Sequence, residues 1–135
     1  MITHAQVRRL ALALPDAADD STPERLVFSV GGRGFAWTYL GRVAPKKPRI
    51  AFPDVLAVSC PLERKEMLVA AAPDIYFDDD HYRGYPAVLV RLKQVPKAEF
   101  AALLGDACRI QASKPPKRPR KQTPARRKAT ASKKR

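Results

Sequence analysis

Beyond Ala112 the chain contains no apolar residue larger than alanine, and this limits what can fold. Residues 113–135 read SKPPKRPRKQTPARRKATASKKR. A segment without bulky apolar side chains buries too little surface to offset the entropy of ordering its backbone. The folded unit is therefore expected within residues 1–112, one domain of ordinary size, with 113–135 a basic tail that is disordered in isolation. Charge divides at the same place. The 135 residues carry 26 Lys and Arg against 13 Asp and Glu, a formal charge of +13. Eleven of those cations and none of the acids lie in the tail, which leaves residues 1–112 with 15 basic and 13 acidic groups, a net of +2. The strong basic character, which points to an acidic partner such as nucleic acid, belongs to the tail.

Within residues 1–112 the periodicities predict an α+β domain. Thr3 and Gln6 have capping-box spacing and open a helical stripe of Val7, Leu10, Ala11 and Leu14 that Pro15 stops, with Arg8 and Arg9 outside it. "RLVFSV" and "FAWTYL" read as strands joined by the glycine-rich turn "GGRG", in which Gly31, Gly32 and Gly34 supply positive φ and Arg33 stands at the tip. "GRVAPKKPRIAFP" holds three prolines, which block ladder pairing, so a projecting loop is expected with Lys46, Lys47 and Arg49 near its end. "DVLAVS" is a third strand, and Pro61 opens the helix "PLERKEMLVAAA" at its first position. "DIYF" leads into the turn at residues 78–86 and "AVLVRL" is a buried strand, so one or two strands follow the second helix. On "AVLVRL" Val88, Val90 and Leu92 share one face and Ala87, Leu89 and Arg91 the other. "KAEFAALLGDACRIQA" closes the domain as a helix with Phe100, Leu103, Leu104, Ala107 and Cys108 on its buried face.

Several function classes are disfavoured. No run approaches the roughly 18 apolar residues of a membrane span. "RRLALALPDAADD" resembles a twin-arginine signal only superficially, because Pro15 and Asp16 cut its apolar run after five residues. Cys60 and Cys108 form neither a disulfide framework nor a ligand spacing, so a cytoplasmic protein with free thiols is expected. Cys60 precedes a helix N-terminus, where a dipole can lower a thiol pKa, but with no partner histidine in evidence an ordinary buried or half-buried cysteine is expected. Asp78, Asp79, Asp80 and His81 could ligate a hard cation, but consecutive residues do not easily surround one ion and no second ligand cluster occurs in the sequence, so a solvated acidic turn is expected, with neither metal nor cofactor. His81 as a general base needs a nucleophile or partner, and the only other histidine is His4 at the start of the first helix, so an enzyme is not expected.

"VRRLALALPDA", "FAWTYLGRVAPKKPRIAFPDVLAVS", "AAAPDIYF", "HYRGYPAVLVRL" and "FAALLGDACRIQA" together resemble the MmcQ/YjbR family of small bacterial proteins. The resemblance covers residues 3–112, and "HYRGYPAVLVRL" is its most specific piece. It implies an α-β(3)-α-β(2)-α fold, an antiparallel sheet packed against helices, a layout shared with secretion-chaperone-like proteins that bind polypeptides. It also implies DNA binding through two wing-like projections, and it brings no catalytic residues. This chain departs from the family pattern in two respects. "DDD" stands before the histidine where threonine, serine or proline is common, and the basic tail is not a family hallmark.

The leading expectation is a nucleoid-associated protein that binds the DNA backbone, or RNA, largely without sequence specificity. The wings would offer Arg33, Lys46, Lys47, Arg49 and Arg83. The tail would offer Lys114, Lys117, Arg118, Arg120, Lys121, Arg126, Arg127, Lys128, Lys133, Lys134 and Arg135, kept extended by its prolines. "KRPRK" faintly resembles an AT-hook but lacks the Arg-Gly-Arg core. The alternative is a protein- or ligand-binding module with a groove lined by Trp37, Tyr39, Tyr82 and Tyr85, its tail only an electrostatic anchor. Trp37, alternating with Phe35 and Tyr39, reads as part of a packed aromatic row. His81 is expected to hydrogen-bond across its turn, with Tyr82 and Tyr85 packing their rings there.

Overall fold

The Thr3 hydroxyl accepts the Gln6 N–H at 3.2 Å, and the Gln6 side chain accepts the Thr3 N–H at 2.9 Å. This reciprocal capping satisfies two donors that a helix start otherwise leaves orphaned, and α1 runs His4–Leu12. The computed structural model describes residues 2–42, 44 and 46–114. The tail cations from Lys117 to Arg135 lie outside the described residues. Val7 and Ala11 are buried, Leu10 and Leu14 pack at the margin of the same core, and Arg8 and Arg9 face solvent.

The chain continues through β1 (Ala18–Asp19), β2 (Val27–Val30), β3 (Arg33–Gly41), β4 (Ile50–Ser59), α2 (Leu62–Ala71), β5 (Tyr76–Phe77), β6 (Ala87–Arg91) and α3 (Lys97–Ala112). The six strands form one antiparallel sheet in the order β1-β2-β3-β4-β6-β5. The expected α+β class and element order hold, with β1 added ahead of the three expected strands. No periodicity marks β1. It exists because Ala18 and Asp19 pair with Ser29 and Phe28, and because Arg8 holds Asp19 at 3.0 Å. Pro61 caps α2 and does not occupy its first turn.

Helices cover one face of the sheet. The main core joins Val7 and Ala11 to Phe28, Leu56, Val58, Val88 and Val90, and all five residues read from α3 enter it. A smaller cluster occupies the opposite face, built on Tyr39, Ala57, Tyr82, Ala87 and Leu89. β6 is buried on both faces and alternates between the two clusters as its sequence predicts, with the Arg91 guanidinium 4.1 Å from the Phe77 ring centroid.

Irregularities in β3 and β4 decide what reaches the second face. Ser29 pairs with Gly34 and Phe28 with Ala36, which leaves Phe35 as an extra residue on β3. A one-residue bulge reverses the facing of every later side chain on the strand. Phe35 therefore joins the helix-side core while Trp37 and Tyr39 lie on the other face, and the expected Phe35–Trp37–Tyr39 row is broken. β4 begins at Ile50, earlier than "DVLAVS" suggests. Pro53, Asp54 and Val55 find no partner on β3, and His4 Nε2 donates to the Pro53 carbonyl at 2.5 Å. The prolines interrupt the ladder without preventing it, so the projecting loop shortens to residues 42–49.

Candidate functional site

Arg42, Lys46 and Lys47 are exposed on the 42–49 loop, and Arg49 is half-buried at its end. Lys46 has φ 71°, a left-handed conformation that costs a side-chain-bearing residue roughly 1 kcal/mol. The Lys47 N–H donates to the Ala44 carbonyl at 3.2 Å and closes the turn that presents both lysines. Arg49 Nη2 donates to the Leu40 carbonyl and ties the loop back to β3. Among the described residues, no carboxylate pairs with any of these four cations.

The other expected projection is different. Gly31 and Gly32, at φ 59° and 79°, form the two-residue hairpin turn, with Val30 and Arg33 facing each other at its base. Both central residues have φ > 0, which matches the right-handed twist of the flanking strands. Gly34 does not share that conformation. It pairs inside the ladder, so Arg33 is the half-buried first residue of β3 and the tip carries no side chain. Arg83, the last of the expected wing cations, pairs with Asp80 at 2.5 Å, so its charge is matched locally.

The turn after β5 is organised by a residue that sequence reasoning missed. Lys65 on α2 is only 3% exposed. Its Nζ donates to the Tyr82 and Tyr85 carbonyls at 2.6 and 2.9 Å and lies 3.0 Å from Asp78 Oδ1. The signal was its position: Lys65 shares a helical face with Leu68, Val69 and Ala72, where an unpaired cation would be costly. Asp79 performs a second fastening, accepting the Tyr82 N–H at 2.8 Å through one oxygen and the Tyr39 hydroxyl through the other. The Tyr82 hydroxyl accepts Trp37 Nε1–H at 3.0 Å.

Tyr39 reaches Asp79 because Gly41 leaves room for its ring. A Cβ at residue 41 would stand 2.5 Å from the Tyr39 hydroxyl oxygen. Burial first, and the Asp79 hydrogen bond second, push the Tyr39 hydroxyl up to about 12. Tyr39, Tyr82 and Trp37 thus pack into a closed cluster, and Tyr85 alone of the four expected groove residues stands exposed. His81 is exposed and meets the Tyr82 ring edge-on at 5.0 Å. It makes no hydrogen bond among the described residues, contrary to expectation, because Asp79 and Lys65 already hold the turn.

A cleft of about 620 Å³ opens between the ends of the loop and the turn, lined by Tyr39, Arg42, Arg49, Asp79, Asp80 and His81. It brings Arg49 and His81 together and leaves Arg33, Lys46 and Lys47 outside. No group of three or more potential metal ligands occurs among the described residues. Cys60 and Cys108 are both buried. Burial raises the Cys60 thiol against the opposing pull of Arg64 and Lys65, so desolvation outweighs any activation at the helix start. No helix of the described residues is long and apolar enough to cross a membrane.

Comparison with known proteins places this geometry in context. A family model described as YjbR matches residues 12–110. Uncharacterized proteins of Mycobacterium tuberculosis and Mycobacterium bovis are each 32% identical over 124 residues, spanning 84% of this chain and 92% of theirs. Among solved structures, a Deinococcus radiodurans protein with a DUF419 domain superposes with a TM-score of 0.64 at 26% identity, covering 84% of this chain and 81% of that one. A Pseudomonas syringae protein superposes with a TM-score of 0.56 over 82% of this chain and 99% of its own, and at 15% identity it attests the fold alone.

Proposed function

The chain belongs to the YjbR family, and from that premise we propose that it binds DNA, largely without sequence preference, as a nucleoid-associated protein of the cytoplasm. The 42–49 loop acts as the wing and the tail beyond α3 supplies most of the affinity. One observation carries this reading: Arg42, Lys46, Lys47 and Arg49 crowd one projecting loop with no carboxylate partner among the described residues. By contrast Arg8, Arg64, Lys65, Arg83, Lys93 and Arg109 are each paired with an aspartate. Unmatched charge concentrated on a projection suits a polyanion better than it suits the fold. The left-handed Lys46 adds support, since backbone strain clusters where function requires it. RNA would satisfy the same contacts. A ligand-binding module built on an aromatic groove receives less support, because three of the four rings that would line the groove pack against one another.

Anisotropy titrations across salt concentrations test the proposal. With about six cations on phosphates, the full chain should lose roughly a thousandfold in affinity between about 50 and 200 mM salt. Ending the chain at Lys114 should remove most of the affinity. Lys46→Ala with Lys47→Ala should lower the slope of log affinity against log salt by about 2. Identical slopes for all three proteins, or no binding at physiological salt, would overturn the reading.

A further inference from the structure

The cleft between loop 42–49 and the turn after β5 has a chemistry of its own. Two carboxylates, Asp79 and Asp80, line it, and three guanidinium groups stand against them: Arg42 and Arg49 in the lining and Arg83 paired to Asp80. Asp79 is occupied at both oxygens, by the Tyr39 hydroxyl and the Tyr82 amide, and Asp80 pairs with Arg83 at 2.5 Å. On the other wall the Arg42 guanidinium has no hydrogen-bond or ion-pair partner among the described residues, and Arg49 commits only one nitrogen, to the Leu40 carbonyl. His81 completes the opening with a ring that makes no hydrogen bond there, and one of its nitrogens carries a proton in either tautomer. The guanidinium nitrogens of Arg42 and most of those of Arg49 therefore remain open toward the cleft, whereas Asp79 is engaged at both oxygens and Asp80 at one.

The geometry points to a phosphate-binding site in this cleft, with Arg42 and Arg49 as the charged donors and His81 as a third donor. Guanidinium groups match phosphate oxygens in pairs of parallel hydrogen bonds, which a lysine cannot do. A volume of about 620 Å³ admits more than a bare phosphate and suits a mononucleotide or the end of a nucleic-acid strand. Two sources share this chemistry, a phosphomonoester on a small molecule and a phosphate of a nucleic acid. The site rests on the cleft and does not require that the chain bind duplex DNA.

The test is a ¹⁵N–¹H NMR titration of the full chain, at constant ionic strength, with adenosine 5′-monophosphate and with adenosine. Saturable shifts at Gly41, Arg42, Asp80 and His81 are expected from the monophosphate and not from the nucleoside. Arg42→Gln, at an exposed position, should weaken binding about tenfold, the worth of a charge-assisted contact. A single-stranded oligonucleotide with and without a 5′-phosphate separates the sources. Shifts at the cleft with both forms assign it to the backbone diester; shifts only with the phosphorylated form and the mononucleotide assign it to a phosphomonoester. Shifts confined to tail resonances, or equal shifts with adenosine, would overturn the site. Failure of duplex DNA to bind at physiological salt would overturn the DNA reading while leaving the mononucleotide result intact.

Discussion

Replacing Lys65 with methionine keeps the apolar stem and removes the charge that fastens the turn forming one wall of the cleft. Two hydrogen bonds from a charged donor to the Tyr82 and Tyr85 carbonyls, at 2.6 and 2.9 Å, would be lost. Each is worth about 1.5 kcal/mol at the low end for a charged partner. The Asp78 pair adds less, roughly 0.5 kcal/mol, because that carboxylate keeps 30% of its side chain in water. Relief of the buried ammonium's desolvation offsets part of the sum, and the stranded carbonyls are free to take up water only if the turn opens. The net loss is roughly 3 kcal/mol. For a domain of about 110 residues this lowers Tm by roughly 10–13 °C. Urea unfolding followed by fluorescence reports on the right place, because Trp37 is the only tryptophan and its indole N–H is bonded to Tyr82. Lys93→Met serves as the comparison. Its pair with Asp54, at 3.3 Å, is exposed on both sides and should cost under about 0.5 kcal/mol. If the two variants unfold at the same urea concentration, Lys65 does not fasten the turn.

Alkaline stability should fall late and in a defined window. The folded Tyr39 hydroxyl ionises near 12 against an ordinary 10.0, so its contribution is complete below about pH 10 and is lost as pH rises toward 12. Tyr76 is shifted the same way, by burial first and then by its bond to Glu99. Absorbance titration of the four tyrosines should show a late-ionising fraction that shrinks in Tyr39→Phe; unchanged titration in that variant would contradict the assignment. Gly41→Ala should push the Tyr39 ring off Asp79 and cost about 1–3 kcal/mol in urea unfolding, whereas a neutral result would mean the ring can move without loss. Cys60 and Cys108, buried and raised by burial, should resist maleimide at neutral pH and react only on unfolding; rapid labelling of the native chain would refute that.

Sequence alone determined the regular elements whose periodicity is local. α1 with its capping box, the buried face of α3 and the two faces of β6 are set by side-chain spacing at 3.6 and 2 residues. The divided charge was equally legible, because composition requires no coordinates. What the tertiary structure decided depends on partners distant in the chain. The bulge at Phe35 exists only in the pairing of β2 with β3, and it alone moves Trp37 and Tyr39 to the face opposite Phe35. β1 is a strand only because β2 lies beside it. Lys65 looks in sequence like one more charge on a helix, and its role appears when the Tyr82 and Tyr85 carbonyls arrive from residues 17 and 20 positions away. The cleft is the clearest case. Arg42 and Arg49 come from one loop and His81 from a distant turn, so only folding could put their unsatisfied donors around one space.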